Sequence, residues 1–136
     1  MTPTLTALTG FALWTLLLTA CIGITRAYVA QTTGKAPNTF APDGSDIGGF
    51  SQRLARTHAN CFENLPIVAA ILLAVEVAGL GAISDPLAMW ILAARIAQSL
   101  VHLSSTSVPA VFTRFAFFLA QVVLLLVIAV RALMAG

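Results

Sequence analysis

The chain has 136 residues, of which 59% are hydrophobic and 9% charged, and its net charge is +2. A soluble domain carries about 25% charged residues, and a chain this short cannot hide so much apolar surface in water. The basic residues form no run, which argues against a nucleic-acid partner.

Composition therefore predicts an all-α integral membrane protein with one domain, residues 1–136. Four apolar segments, about 5–30, 51–80, 86–106 and 108–134, approach or exceed the roughly 20 residues that cross hydrocarbon. In the first, Thr15, Thr19 and Arg26 share a stripe. Leu18 to Cys21 match a bacterial lipoprotein cleavage pattern, but no Lys or Arg precedes them, as a signal peptide requires. Residues 31–50, rich in Gly, Pro, Asn and Asp, read as an irregular polar loop.

The second segment carries the most informative run, from Arg56 through Asn60, Glu63 and Asn64 to Pro66. Arg56, Asn60 and Glu63 stand at i, i+4 and i+7, within roughly 60° of one another on a helix. Lipid offers a cation, an amide and a carboxylate no partner, so they must face protein, a water-filled cavity or a polar ligand. A peptide with a free amine and free carboxylates needs all three. The alternative is a structural network in which Arg56 or Arg95 neutralises Glu63 while Asn60 and His102 satisfy hydrogen bonds. His58 turns away from this stripe and reads as solvated or interfacial. Glu76 falls on the opposite face and reads as a partner for another helix or a group near the outer surface, not as a site residue.

Gly79 to Gly81 predict a tight turn, with Pro86 suited to open the third segment. There Arg95, Ser99, His102 and Thr106 share a face flanked by Gln98. An arginine near mid-span costs roughly 2.5 to 3.5 kcal/mol and should be paired. Ser107 and Pro109 read as the N-cap and first turn of the fourth segment, where Arg114, Phe118 and Gln121 form a face. All four polar stripes are expected to converge near one end of the bundle. Arg26, Lys35, Arg53, Arg56 and Arg114 lie on the side of the long loop, and only Arg131 lies near the other. That asymmetry predicts a cytoplasmic loop and both termini outside. Cys21 and Cys61 show no disulfide or metal spacing.

The pattern R-x-x-x-N-x-x-E-x-x-P, formed by Arg56, Asn60, Glu63 and Pro66 at the head of a second membrane helix, resembles the MAPEG superfamily. These are membrane-associated proteins of eicosanoid and glutathione metabolism. Length and the placement of hydrophobic segments extend the resemblance over nearly the whole chain, as a divergent, bacterial-type member of an inner or cell membrane. It implies a four-helix bundle assembled as a homotrimer, with sites between subunits and no metal. It also implies a membrane glutathione S-transferase or peroxidase, with glutathione as co-substrate and a hydrophobic compound or lipid as second partner.

In that reading Arg26, Arg56, Asn60, Glu63, Asn64 and His102 bind glutathione. Glu63 meets the ammonium, and Arg56 and Arg26 meet carboxylates. Asn60 donates to and accepts from peptide groups. Arg114, near a helix N-terminus, stabilises the thiolate, and Arg95 with Gln98 forms a structural or ion-pair set. The chain departs from the family in its tyrosines: Tyr28 is the only one, and Gln98 and His102 stand where family enzymes place theirs. A non-catalytic lipid-binding or scaffold member, resembling the five-lipoxygenase-activating protein, is the alternative. An exporter of hydrophobic cations would need an acid in the first helix, and haem binding would have only His58 and His102.

Overall fold

The computed structural model describes residues 1–135. Four helices, α1 (Pro3–Thr33), α2 (Gly49–Val77), α3 (Gly81–Ser104) and α4 (Val108–Ala135), are each long and apolar enough to cross a membrane. The chain is an integral membrane protein. At about 1.5 Å per residue, α1 is longer than the roughly 30 Å of hydrocarbon and must run on into the interface.

α1 begins where Thr2 caps it, its hydroxyl accepting from the Leu5 amide at 3.2 Å, with Pro3 in the first turn. The first turn has no acid of its own; two carboxylates reach it from elsewhere. The Thr4 amide and hydroxyl donate to Asp85 Oδ1 at 3.1 and 2.7 Å, and the Thr2 hydroxyl donates to Glu76. Glu76 thus serves a neighbouring helix, as its face suggests. α1 stops at Gly34, whose φ of 71° an ordinary residue resists.

The connection is shorter and more ordered than residues 31–50 would suggest, because the flanking helices extend into it. It holds one 3-10 turn at Pro37–Thr39. Asp46 organises it, accepting from the Ala41 amide at 3.0 Å and bridging Lys35 at 3.1 Å. The Ala41 amide first, and Lys35 after it, hold the Asp46 carboxyl below its usual range. Gly44 has a φ of 70°, and a Cβ there would lie 2.7 Å from the Ser51 carbonyl oxygen. Only glycine fits.

Three boundaries of α2 and α3 differ from the sequence reading. α2 stops at Val77 instead of 80, because Gly79 turns the chain with a φ of 72° and Leu80 N–H caps the Val75 carbonyl at 2.9 Å. α3 starts at Gly81, five residues before Pro86, and ends at Ser104, short of 106. Pro86 is tolerated near this helix start because its missing N–H strips a partner only from Ala82, which is exposed at the membrane boundary. α4 opens as expected, with Ser107 Oγ accepting from Ala110 N at 3.4 Å.

α1, α2 and α3 pack mutually. α4 lies along α3, touches α2 sparingly and does not touch α1. Phe11, Leu18, Leu54, Cys61, Leu72, Ile91 and Ile128 centre the core. Gly10 lets α1 approach α3, since a Cβ there would meet Leu92 Cδ2 at 2.6 Å. No span has more than 28% of its residues buried. The remaining surface, including Trp90, Phe112, Leu126 and Leu133, needs an apolar solvent, and a bilayer supplies it.

Candidate functional site

Helix α2 sets the site because Asn60 sits at the edge of its buried face. Leu54, Thr57, Cys61 and Val68 turn inward, whereas Arg56 and Glu63 are exposed. Asn60 meets the deepest charge of the protein. Arg95, 1% exposed, donates from Nη1 to Asn60 Oδ1 at 2.5 Å and lies over the Phe11 ring, 5.1 Å from its centroid. Cys61 lies against the same guanidinium and also contacts Ser99 Oγ at 3.5 Å.

Arg95 therefore makes no ion pair. Among the described residues the single salt bridge is Lys35–Asp46, and Glu63 neutralises neither Arg56 nor Arg95. The physical reason is geometric: Arg95 faces the buried side of α2, whereas Glu63 faces away from it. A hydrogen bond to a charged group contributes about 1.5 to 3 kcal/mol, and a desolvated cation–π contact about 2. Those magnitudes match the cost of placing the arginine there, so an amide and a ring replace the expected carboxylate.

From Asn60 a row of amides crosses the bundle. Gln98 Nε2 donates to Asn60 Oδ1 at 3.3 Å, and Gln121 Nε2 donates to Gln98 Oε1 at 2.9 Å. Gln121 Nε2 also reaches its own helix at the Phe117 carbonyl, 2.9 Å away. Gln121 was legible as part of the α4 stripe; that it joins the Asn60 cluster was not.

Beside this row lies a cavity of about 270 Å³ between α2, α3 and α4, lined by Asn60, Gln98, His102, Val111, Arg114, Phe115 and Phe118. Three residues named for the site by sequence thus meet there: Asn60, His102 and Arg114. Gln98, expected in a structural set with Arg95, joins them in the lining. Arg114 Nε is buried without a hydrogen-bond partner. Positive charge from Arg114, Arg56 and Arg53 surrounds His102, and no acidic side chain lines the cavity. Arg53, which sequence reasoning used only for orientation, donates from Nε to the Leu103 carbonyl at 2.8 Å and so caps α3.

The other named residues lie elsewhere. Arg26 is held by the connection, donating to the Ala41 and Pro42 carbonyls at 3.1 and 3.3 Å. Asn64 bonds back to the Asn60 carbonyl at 2.7 Å. Helix α1 does not bring its stripe to the cavity. Thr15 and Thr19 bond to carbonyls one turn back, and Thr19 also meets His58 Nε2 at 2.9 Å. His58 is thus tied to α1 and stacked on Phe62, and stays partly exposed. The four stripes do not converge; those of α2, α3 and α4 do.

On the other flank of α3 and α4 runs an apolar groove of about 830 Å³, floored by Ala93, Ala94, Ala97, Ala116 and Ala120 and walled by Trp90 and Phe117. The MAPEG family model matches residues 4–134, nearly the whole chain. No curated protein and no solved structure matches it.

Proposed function

The chain belongs to the MAPEG family of membrane proteins of eicosanoid and glutathione metabolism, and on that premise we propose that it is a glutathione-dependent membrane transferase or peroxidase. One observation carries this reading: the cavity gathers Arg114, His102 and Asn60 around a space without any carboxylate. Such a space suits an anion. A free thiol has a pKa near 8.5, and a guanidinium beside it at a helix N-terminus favours the thiolate. Arg114 lies in the second turn of α4 and supplies the guanidinium, its Nε unpartnered.

In this mechanism the S–H proton leaves to water or to the His102 ring. The sulfur lone pair forms the new bond to an electrophilic carbon or peroxide oxygen, and the leaving group departs with the bonding electrons. Arg114 raises the fraction of thiol present as thiolate by holding charge on sulfur before attack. Ligand sites usually measure about 300 to 1,000 Å³, so a cavity of about 270 Å³ takes only part of the tripeptide. The rest extends over the exposed α2 face, where Glu63 meets the ammonium and Arg56 a carboxylate. A neighbouring copy in a homotrimer closes that face. The lipophilic partner arrives from the bilayer.

The apolar groove supports a second reading, a lipid-binding scaffold without catalysis, because its lining offers acyl chains a complementary surface. Thermal unfolding in detergent separates the two. Reduced glutathione at a hundred times its dissociation constant stabilises the fold by about 2.7 kcal/mol, and Glu63→Ala removes the shift. No shift at millimolar glutathione, with the protein folded, favours the scaffold.

A further inference from the structure

The amide row beside the cavity has a fixed direction, and its two ends set it. Arg95 can only donate, so the Asn60 atom facing it at 2.5 Å is the oxygen. At the other end the Phe117 carbonyl can only accept, so the Gln121 atom facing it at 2.9 Å is the nitrogen. Between them the polarity alternates without conflict: Gln121 Nε2 gives to Gln98 Oε1, and Gln98 Nε2 gives to Asn60 Oδ1. Asn60 Oδ1 thus receives two donors, while Asn60 Nδ2 has no hydrogen bond among the described residues, on a side chain that lines the cavity.

We infer that Gln121, with Gln98 and Arg95, is a positioning residue that orients the Asn60 carboxamide so that it offers the ligand a donor and never an acceptor. This inference rests on the glutathione reading and sharpens it. Asn60 then recognises a carbonyl or carboxylate oxygen of the tripeptide, not one of its amides or its ammonium. It corrects the expectation that Asn60 both donates and accepts. Gln121 is 2% exposed and does not line the cavity, so its influence on a ligand has to pass through Gln98 and Asn60.

The test is a double-mutant cycle on reduced-glutathione affinity, measured by calorimetry in detergent. Asn60→Asp keeps the acceptor for Arg95 and Gln98 but replaces the outward donor. Gln121→Leu cuts the row, and Gln121→Met takes its place if the leucine variant does not fold. Residues in one hydrogen-bond network couple by amounts equivalent to roughly twofold or more in affinity. The expected result is that the Gln121 variant weakens glutathione about fivefold in the wild-type background and has no further effect in Asn60→Asp. An equal loss in both backgrounds, or none in either, overturns the positioning role. A wild type that binds no glutathione overturns the functional reading instead. The row is then read from the Asn60 side-chain amide resonances, which shift in Gln121→Met if Gln121 orients Asn60 and stay in place if it does not.

Discussion

At the residue scale, four buried side-chain atoms among the described residues have no hydrogen-bond partner: Trp14 Nε1, Arg95 Nε, Arg114 Nε and Gln121 Oε1. Arg95 is answered by an amide oxygen and an aromatic face; Arg114 Nε is not answered. Arg95 Nε lacks a partner too, so what sets Arg114 apart is that it lines the cavity and Arg95 does not. Arg114→Leu is expected to lower the rate of glutathione addition to a lipophilic electrophile by about a hundredfold, because losing a neighbouring cation cuts the thiolate fraction by roughly ten- to a thousandfold. Glutathione affinity should fall by less than tenfold, because the remaining contacts lie along α2. Measured kcat and dissociation constants check this split. Equal losses in both would reduce Arg114 to a binding residue.

At the element scale, α1 stands apart: it supplies core and no cavity wall. Its N-terminus is held by carboxylates from the far end of α2 and the start of α3, where they offset the unpaired amides and the positive end of the dipole. Asp85→Ala should therefore destabilise the protein by about 1 to 2 kcal/mol, read as a lowered Tm. Thr4→Val should cost less in that background than alone, because the hydroxyl bond to Asp85 is already gone and only the Ser84 contact at 2.8 Å is left to lose. Additive losses would show that Asp85 acts through some other contact. At the opposite end Arg53 performs the mirror task, placing a cation on the last carbonyls of α3. The helices are thus clamped by charge at both membrane faces and by packing between them.

At the scale of the whole molecule, charge is divided between the two ends. Arg26, Lys35, Arg53, Arg56 and Arg114 belong to the end with the long connection, beside Asp43, Asp46 and Glu63, whereas Arg131, Glu76 and Asp85 belong to the other. We expect the first end to be cytoplasmic. Lys35 is the sole lysine. A membrane-impermeant amine reagent should leave it unmodified in intact cells and label it after lysis, as mapped by mass spectrometry. Labelling of Lys35 in intact cells would reverse the topology. The same scale explains why Arg56 and Glu63 are exposed in a single chain. That face is the one a neighbouring copy covers in the homotrimer proposed above.

Composition and segment length alone settled that four helices cross a membrane, because few charges over such lengths admit no other solvent. Spacing along α2 put Arg56, Asn60 and Glu63 on one stripe, since helical periodicity is a local property. The motif also carried the family. What spacing could not decide is which stripe meets which. Asn60 found Arg95 and Gln98, and Glu63 found nothing within the chain, because the rotation of α2 against α3 is fixed by packing of Leu54, Cys61 and Leu72 over long sequence separations. Pro86 misled because a proline is equally at home at a helix start and one turn inside it when the freed carbonyl faces the interface. Arg26 drew toward the connection because its carbonyls came within reach only once Gly44 and Asp46 had folded it. The direction of the Gln121–Gln98–Asn60 row belongs wholly to the tertiary structure: an amide has no polarity of its own, and takes one only when a donor such as Arg95 and an acceptor such as the Phe117 carbonyl are brought to its two ends.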